Sequence, residues 1–237
     1  MRNVQTIMGI PISIDIPKGN DKIFVESFAI FSEIDNRFST YKKDSEVSNF
    51  NKGTISLKDC SDNFKTIYAK CLQLKKETNG YFDAFYNKKY DPSGYVKGYA
   101  IDQVANFLIQ KGYNEFLINA GGDIIAYSNS GKAWKIGITN PNDTKKILAH
   151  LEVDSIAIAT SGTYERGDHI IDPITDKKPV FFKSVTIFGP SILIADVYAT
   201  VIFAMGEKGL ELLLKLPGYN CIYVDRNNEL KQLLSSK

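Results

Sequence analysis

Apolar positions along the chain switch period repeatedly, from two to between three and four and back, so strands and helices alternate. Val4–Ile16 alternates in part and carries Met8-Gly9, which predicts a strand pair or one long strand bulged at the glycine. Asn20 or Asp21 can cap a helix whose apolar positions are Phe24, Phe28, Phe31, Ile34 and Phe38. Residues 38–51 read as a polar loop. Ser61 caps a second helix with Phe64, Ile67, Tyr68, Cys71 and Leu74 on one side, ending at Asn79-Gly80.

The stretch Asp91–Tyr127 organises the rest. Asp91 opens a Pro/Ser/Gly turn that leads to Lys97 and Gly98, and Ile101, Val104, Ala105, Leu108 and Ile109 then recur at helical spacing until Gly112 stops them. Phe116–Ile118 and Ile124–Tyr127 are apolar runs separated by Gly121-Gly122-Asp123. Two glycine-containing turns therefore bracket one helix. Glycine permits close backbone approach and positive φ, while lysine and exposed N–H groups suit phosphate. The combination points to an anionic ligand such as a nucleotide.

Farther on, Trp134–Thr139, Ile147–Val153, Ser155–Thr160 and Ser184–Phe188 read as strands, and 160–179 as a long polar loop of the kind that carries function. Ser191–Met205 is helical and apolar apart from Asp196 and Thr200. Leu210–Leu216 reads as helix, Cys221–Val224 as strand, and the tail as a hairpin or helix. With neither repeats nor a low-complexity linker, residues 1–237 are expected to form a single α+β domain.

Composition narrows the classes. A hydrophobic share of 43% with 24% charged residues is ordinary for a soluble globular chain, and a net charge of +2 gives no support to a nucleic-acid partner. Three cysteines without metal spacing read as buried thiols. No apolar run reaches the roughly 18 residues of a membrane span, and residues 1–20 lack the apolar region of a signal peptide. The expectation is a cytoplasmic protein without a transmembrane segment.

Asp196 and Thr200 lie four apart, on one face of an otherwise apolar helix. A buried carboxylate is costly unless paired or metal-bound, and these oxygen donors suit magnesium; backbone satisfaction of both side chains is the alternative. His169 is one of two histidines and stands in the long loop, as a general base or as a structural residue. Lys97 can meet a phosphate, or pair with Asp91 or Asp102. Gly121-Gly122 can cradle a ligand or merely turn the chain, and Tyr41 can stack on a ring or close an apolar edge. His150, inside a strand pattern, reads as structural.

The order of these small motifs resembles the FAD:protein FMN transferases, the ApbE-type flavin transferases. The resemblance runs through Met8-Gly9, Arg37-Phe38-Ser39-Thr40-Tyr41, Asp44-Ser45-Glu46, Gly80-Tyr81-Phe82-Asp83 and Asp91…Lys97-Gly98-Tyr99-Ala100…Asp102. It continues through Asn119…Gly121-Gly122-Asp123, Thr160-Ser161-Gly162, His169…Asp172-Pro173, Ser184-Val185-Thr186 and Ala195-Asp196…Thr200. It implies a domain of mixed or antiparallel sheets flanked by helices, with an FAD crevice between lobes. It further implies magnesium-dependent transfer of FMN from FAD to a threonine or serine of an acceptor flavoprotein, a redox subunit or reductase domain, with release of AMP. FAD hydrolysis to FMN and AMP, or FAD binding without turnover, are the alternative activities. By the same resemblance Asp196, Thr200 and the Gly94 carbonyl would hold the metal. Met8, Tyr41, Phe82, Asp83, Asp91, Lys97, Gly121, Gly122, Asp123 and Ile171 would contact the flavin nucleotide. Asp196 and His169 would be the catalytic pair, with His169 as base. Ile10 departs from the threonine common after Met-Gly, and Ile174–Pro179 replaces a Thr-Gly turn.

Overall fold

A computed structural model describes residues 1–85, 88–162 and 170–234. Among the described residues, ten strands form two sheets in which every pair is antiparallel. β1 (Arg2–Ile7) and β2 (Ile10–Asp15) form a hairpin, the strand pair rather than the single bulged strand of the two readings, turning on Met8 and Gly9 at φ 57 and 72°. The chain then leaves the sheet for the helices α1 (Asp21–Phe38), α2 (Glu46–Asn51), α3 (Asp62–Glu77) and α4 (Ser93–Gln110). It returns as β3 (Glu115–Ala120) beside β2, followed by β4 (Asp123–Ser128). β5 (Trp134–Asn140) and β6 (Asp143–Val153) form a separate hairpin. β7 (Ile156–Gly162), β8 (Phe182–Gly189), helix α5 (Ile192–Met205), the short α6 (Leu210–Leu213), β9 (Asn220–Asp225) and β10 (Leu230–Leu234) complete the chain. The large sheet runs β1-β2-β3-β4-β7-β8-β9-β10.

Period-two alternation decides what covers each face. Ala157, Ala159, Val185, Ile187 and Cys221 point into the core shared with α1, α3, α4 and α5. Their neighbours Ile158, Phe188 and Ile222 point the other way and pack with Ile136 and Ile138 of the hairpin. Alanine at 157 and 159 leaves room for α5, which packs on β7 and β8 and is buried at ten of its fourteen residues, so both of its long faces meet protein. Asn20 is the cap of α1, accepting the Ile23 N–H at 3.0 Å, and all five expected apolar positions are buried. Asn79 and Gly80 end α3 with positive φ, Gly80 N–H bonding Lys75 O at 2.7 Å.

Two local readings are corrected. Within the supposed loop 38–51, Ser45 caps α2 by accepting the Ser48 N–H at 3.0 Å, and Glu46 binds the α3 cap residue Ser61 through both its oxygens. Lys97 and Gly98 stand inside α4 rather than in the turn before it, because the helix starts at Ser93. Among the described residues, no helix is long and apolar enough to cross a membrane.

Candidate active site

A cavity of about 800 Å³ opens where α2, residues 81–84 and 89–91, α4, α5 and the β1–β2 turn converge, within the range of nucleotide and cofactor sites. Met8, Ile10, Phe82 and Tyr90 give it apolar and aromatic wall, and Ile170, Ile171 and Pro173 close another side. Thr40, Ser48, Asn51 and Lys52 come from around α2; Asp83, Lys89, Asp91 and Gly94 from the segment leading into α4; Lys97, Asp196 and Thr200 from the two central helices.

Lys97, Asp196 and Asp123 form one buried charge cluster. The Lys97 Nζ lies 2.5 Å from Asp123 Oδ2 and 3.2 Å from Asp196 Oδ1. The other Asp196 oxygen accepts the Gly98 N–H at 3.1 Å across the α4–α5 contact. Asp123 Oδ1 takes the Thr160 N–H of β7 at 3.3 Å. Burial drives the Asp196 carboxyl well above its ordinary range; Lys97 opposes that rise and Asp123 adds to it. Thr200 shares a hydrogen bond of 3.0 Å with the Ser161 hydroxyl. Among the described residues the ion-pair partners of Lys97 are Asp123 and Asp196 rather than Asp91 or Asp102. The reason is helical phase: at 97 the side chain points toward α5 and the sheet.

The other sequence candidates divide. Met8, Phe82, Asp83, Asp91, Gly94 and Ile171 line the cavity together with Lys97, Asp196 and Thr200. Asp83 is anchored by Lys75 at 2.8 Å and by the Phe85 N–H at 2.9 Å; Asp91 takes the Ser93 N–H at 3.0 Å. Tyr41 is 96% exposed and does not line the cavity. Gly121, Gly122 and Asp123 also stand outside its wall. The glycines make the β3–β4 turn at φ 58 and 97°, and a Cβ at Gly121 would sit 3.2 Å from Ile10. The two glycines form this turn, and Asp123 pairs with Lys97. His169 lies outside the described residues. His150 is exposed on β6.

Unforeseen wall residues are Ser48, Asn51, Lys52, Lys89 and Tyr90. Asn51 holds Tyr90 by both backbone groups at 2.8 Å each, fixing the segment that leads to Asp91. The signal available was Ser45 ahead of Glu46 in a run free of Gly and Pro, which marks a helix start.

The fold is that of solved flavin transferases. The flavin transferase ApbE from Vibrio cholerae superposes at a TM-score of 0.84 over 100% of this chain and 97% of its own, with 24% identity. The ApbE protein from Thermotoga maritima gives 0.84 at 21% identity, over 98% and 96% of the two chains. Sequence carries this from fold to family: the ApbE family model matches residues 8–89 and 85–223, and the chain belongs to the ApbE family. The FAD:protein FMN transferase of Haemophilus influenzae is 27% identical over 265 residues, spanning 83% of this chain and 76% of that protein. That of Vibrio cholerae is 27% identical over 241 residues, spanning 76% and 72%.

Proposed function

We propose that this protein transfers FMN from FAD to a threonine or serine hydroxyl of an acceptor protein, releasing AMP, with magnesium at the pyrophosphate. The observation that carries the reading is the placement of Lys97, Asp196 and Thr200 on the wall of a cavity large enough for a dinucleotide and flanked by apolar and aromatic side chains. Relatives that share the family bear the name FAD:protein FMN transferase.

The donor set fits a hard cation. Asp196 and Thr200 offer oxygens one helical turn apart, the Asp196 carboxylate already meets one cationic group, and Gly94, which also lines the wall, would have only its carbonyl to offer. Among the described residues no cluster of three or more His, Cys, Asp and Glu forms, so the remaining ligands would be water and substrate phosphate, as magnesium favours. When bound, the ion supplies charge neutralisation at the pyrophosphate.

The chain's own residues do the rest. Lys97 presents its ammonium to the phosphates, and Met8, Ile10, Phe82 and Tyr90 exclude water from the flavin and adenine faces. The acceptor hydroxyl oxygen bonds to the FMN phosphorus as the bridging P–O bond to AMP breaks, so positioning matters more than covalent chemistry. His169 is the family-matched base for the hydroxyl proton, and AMP departs with the bridging oxygen.

The test is incubation with FAD, magnesium and a candidate acceptor domain, followed by mass spectrometry of the acceptor and chromatography of AMP. The expected result is a mass gain of one FMN less water matched by AMP, reduced on the order of 10²–10³-fold in Asp196→Ala. AMP with free FMN and no adduct on any acceptor would replace transfer by hydrolysis. Undiminished magnesium-stimulated turnover in Asp196→Ala would remove the metal assignment.

A further inference from the structure

The end of α3 stands behind the cavity wall and holds two neighbouring residues of it. Thr78, which closes that helix, is fully buried and does not itself line the cavity. Its hydroxyl donates to Leu74 O at 2.7 Å and accepts the Phe82 N–H at 2.9 Å. One turn earlier, Lys75 binds Asp83 at 2.8 Å. Phe82 and Asp83 both face the cavity, so α3 fixes the first through its main chain and the second through its side chain.

The carbonyls around the helix end are already engaged. Leu74 O receives the Thr78 N–H at 2.9 Å, Lys75 O the Gly80 N–H at 2.7 Å, Lys76 O the Asn79 N–H at 3.2 Å and Thr78 O the Tyr81 N–H at 3.1 Å. The N–H of Phe82, a residue only 7% exposed, meets the Thr78 hydroxyl instead. A buried N–H stripped of its acceptor is costly, so the main chain there must move if the hydroxyl goes. The ring that this bond aims lies against α4: a Cβ at Gly94, in the first turn of that helix, would stand 3.4 Å from Phe82 Cε2. Two residues on, Ala84 O takes the Asp91 N–H at 2.7 Å. Thr78 thus anchors the piece of wall that runs between α3 and the start of α4.

We infer that Thr78 is a positioning residue for FAD: its hydroxyl sets where Phe82 stands on the wall, and so sets FAD affinity without touching the ligand. What the position needs is an oxygen acceptor, so serine serves and valine, of nearly the same shape, does not. The inference rests on the FAD reading above and concerns binding rather than the chemical step.

The test measures FAD binding by flavin fluorescence, KM and kcat by AMP release, and stability by denaturant unfolding. Thr78→Val is expected to bind FAD about tenfold more weakly, the scale set by leaving a buried donor unpaired, with the number of sites per chain unchanged. KM for FAD should rise by a similar factor while kcat at saturating FAD stays within about twofold of the parent, as when uniform binding is lost. Thr78→Ser is expected to keep the parent's affinity. A role confined to ending α3 predicts a lower denaturant midpoint with FAD affinity unchanged in the folded protein, and that result overturns the proposal. So does a fall in kcat with KM unchanged, or a Thr78→Ser as weak as Thr78→Val, which would assign the effect to the methyl group. If Thr78→Val does not fold, Thr78→Ser against Thr78→Ala decides, since those two differ only in the hydroxyl: equal affinities sink the proposal. A parent protein that binds no FAD overturns the functional reading itself, and this proposal with it.

Discussion

At the scale of single residues, the site is governed by what a buried charge requires. Asp196 is 4% exposed, and in a dry helix contact its charge must be met from close by. Lys97 meets one oxygen and the Gly98 N–H the other. The second contact needs a bare Cα: a Cβ on Gly98 would lie 3.2 Å from Ile192 O and 3.3 Å from both Asp196 Oδ2 and Leu193 Cα. Gly98→Ala is therefore expected to push α4 from α5. The cost should be about 1–3 kcal/mol, as for other overpacked contacts, read as a lower denaturant midpoint. Turnover should fall as well, because the displaced N–H is the one that holds Asp196. The identities of Asp196 and Thr200 as site residues were legible in the sequence, being polar interruptions of an apolar helix. The partners of Lys97 were not, since sequence neighbours such as Asp102 offered equally good charges and only the crossing of α4, α5 and β4 selects among them.

At the scale of elements, the helices and strands with strong periodicity came out where the pattern put them, and α2 did not. α1, α3 and α5 each bury a run of apolar positions, so the hydrophobic signal and the final packing agree. α2 has six residues and buries only Val47 and Ser48, too little for periodicity to register. Its existence depends on the Ser45 cap and on the Glu46 link to Ser61. Ser45→Ala should cost about 1 kcal/mol, the usual worth of a serine cap. Faster amide exchange should then be confined to 46–52, with α1 and α3 unaffected. Because α2 carries Ser48 and Asn51 to the cavity, FAD affinity should fall in the same variant, measured by flavin fluorescence.

At the scale of the whole molecule, one core shared by both halves of the chain makes the cavity a consequence of folding rather than of a local motif. The deep core also shapes the response to alkali. Burial pushes the thiols of Cys71 and Cys221 from an ordinary 9.0 up to about 12. Between those values the unfolded chain releases protons that the native protein keeps, so stability falls as pH rises from about 9 toward 12. Denaturant midpoints should drop across that window, with a shallower fall when both residues are alanine. At neutral pH these thiols should react with alkylating reagents only on unfolding.

The sequence by itself determined the helices with strong apolar faces, a break in the first strand pattern at Met8-Gly9, several of the strands and the order of small motifs that marks the family. Each of these is written in local spacing or in residue chemistry along the chain. Only the tertiary structure decided that Gly121-Gly122 turns the chain instead of lining the cavity, that Asp123 reaches Lys97, and that Asn51 fixes Tyr90. The last two join residues 26 and 39 positions apart in sequence, where spacing carries no information and the relative placement of packed elements decides which polar groups meet.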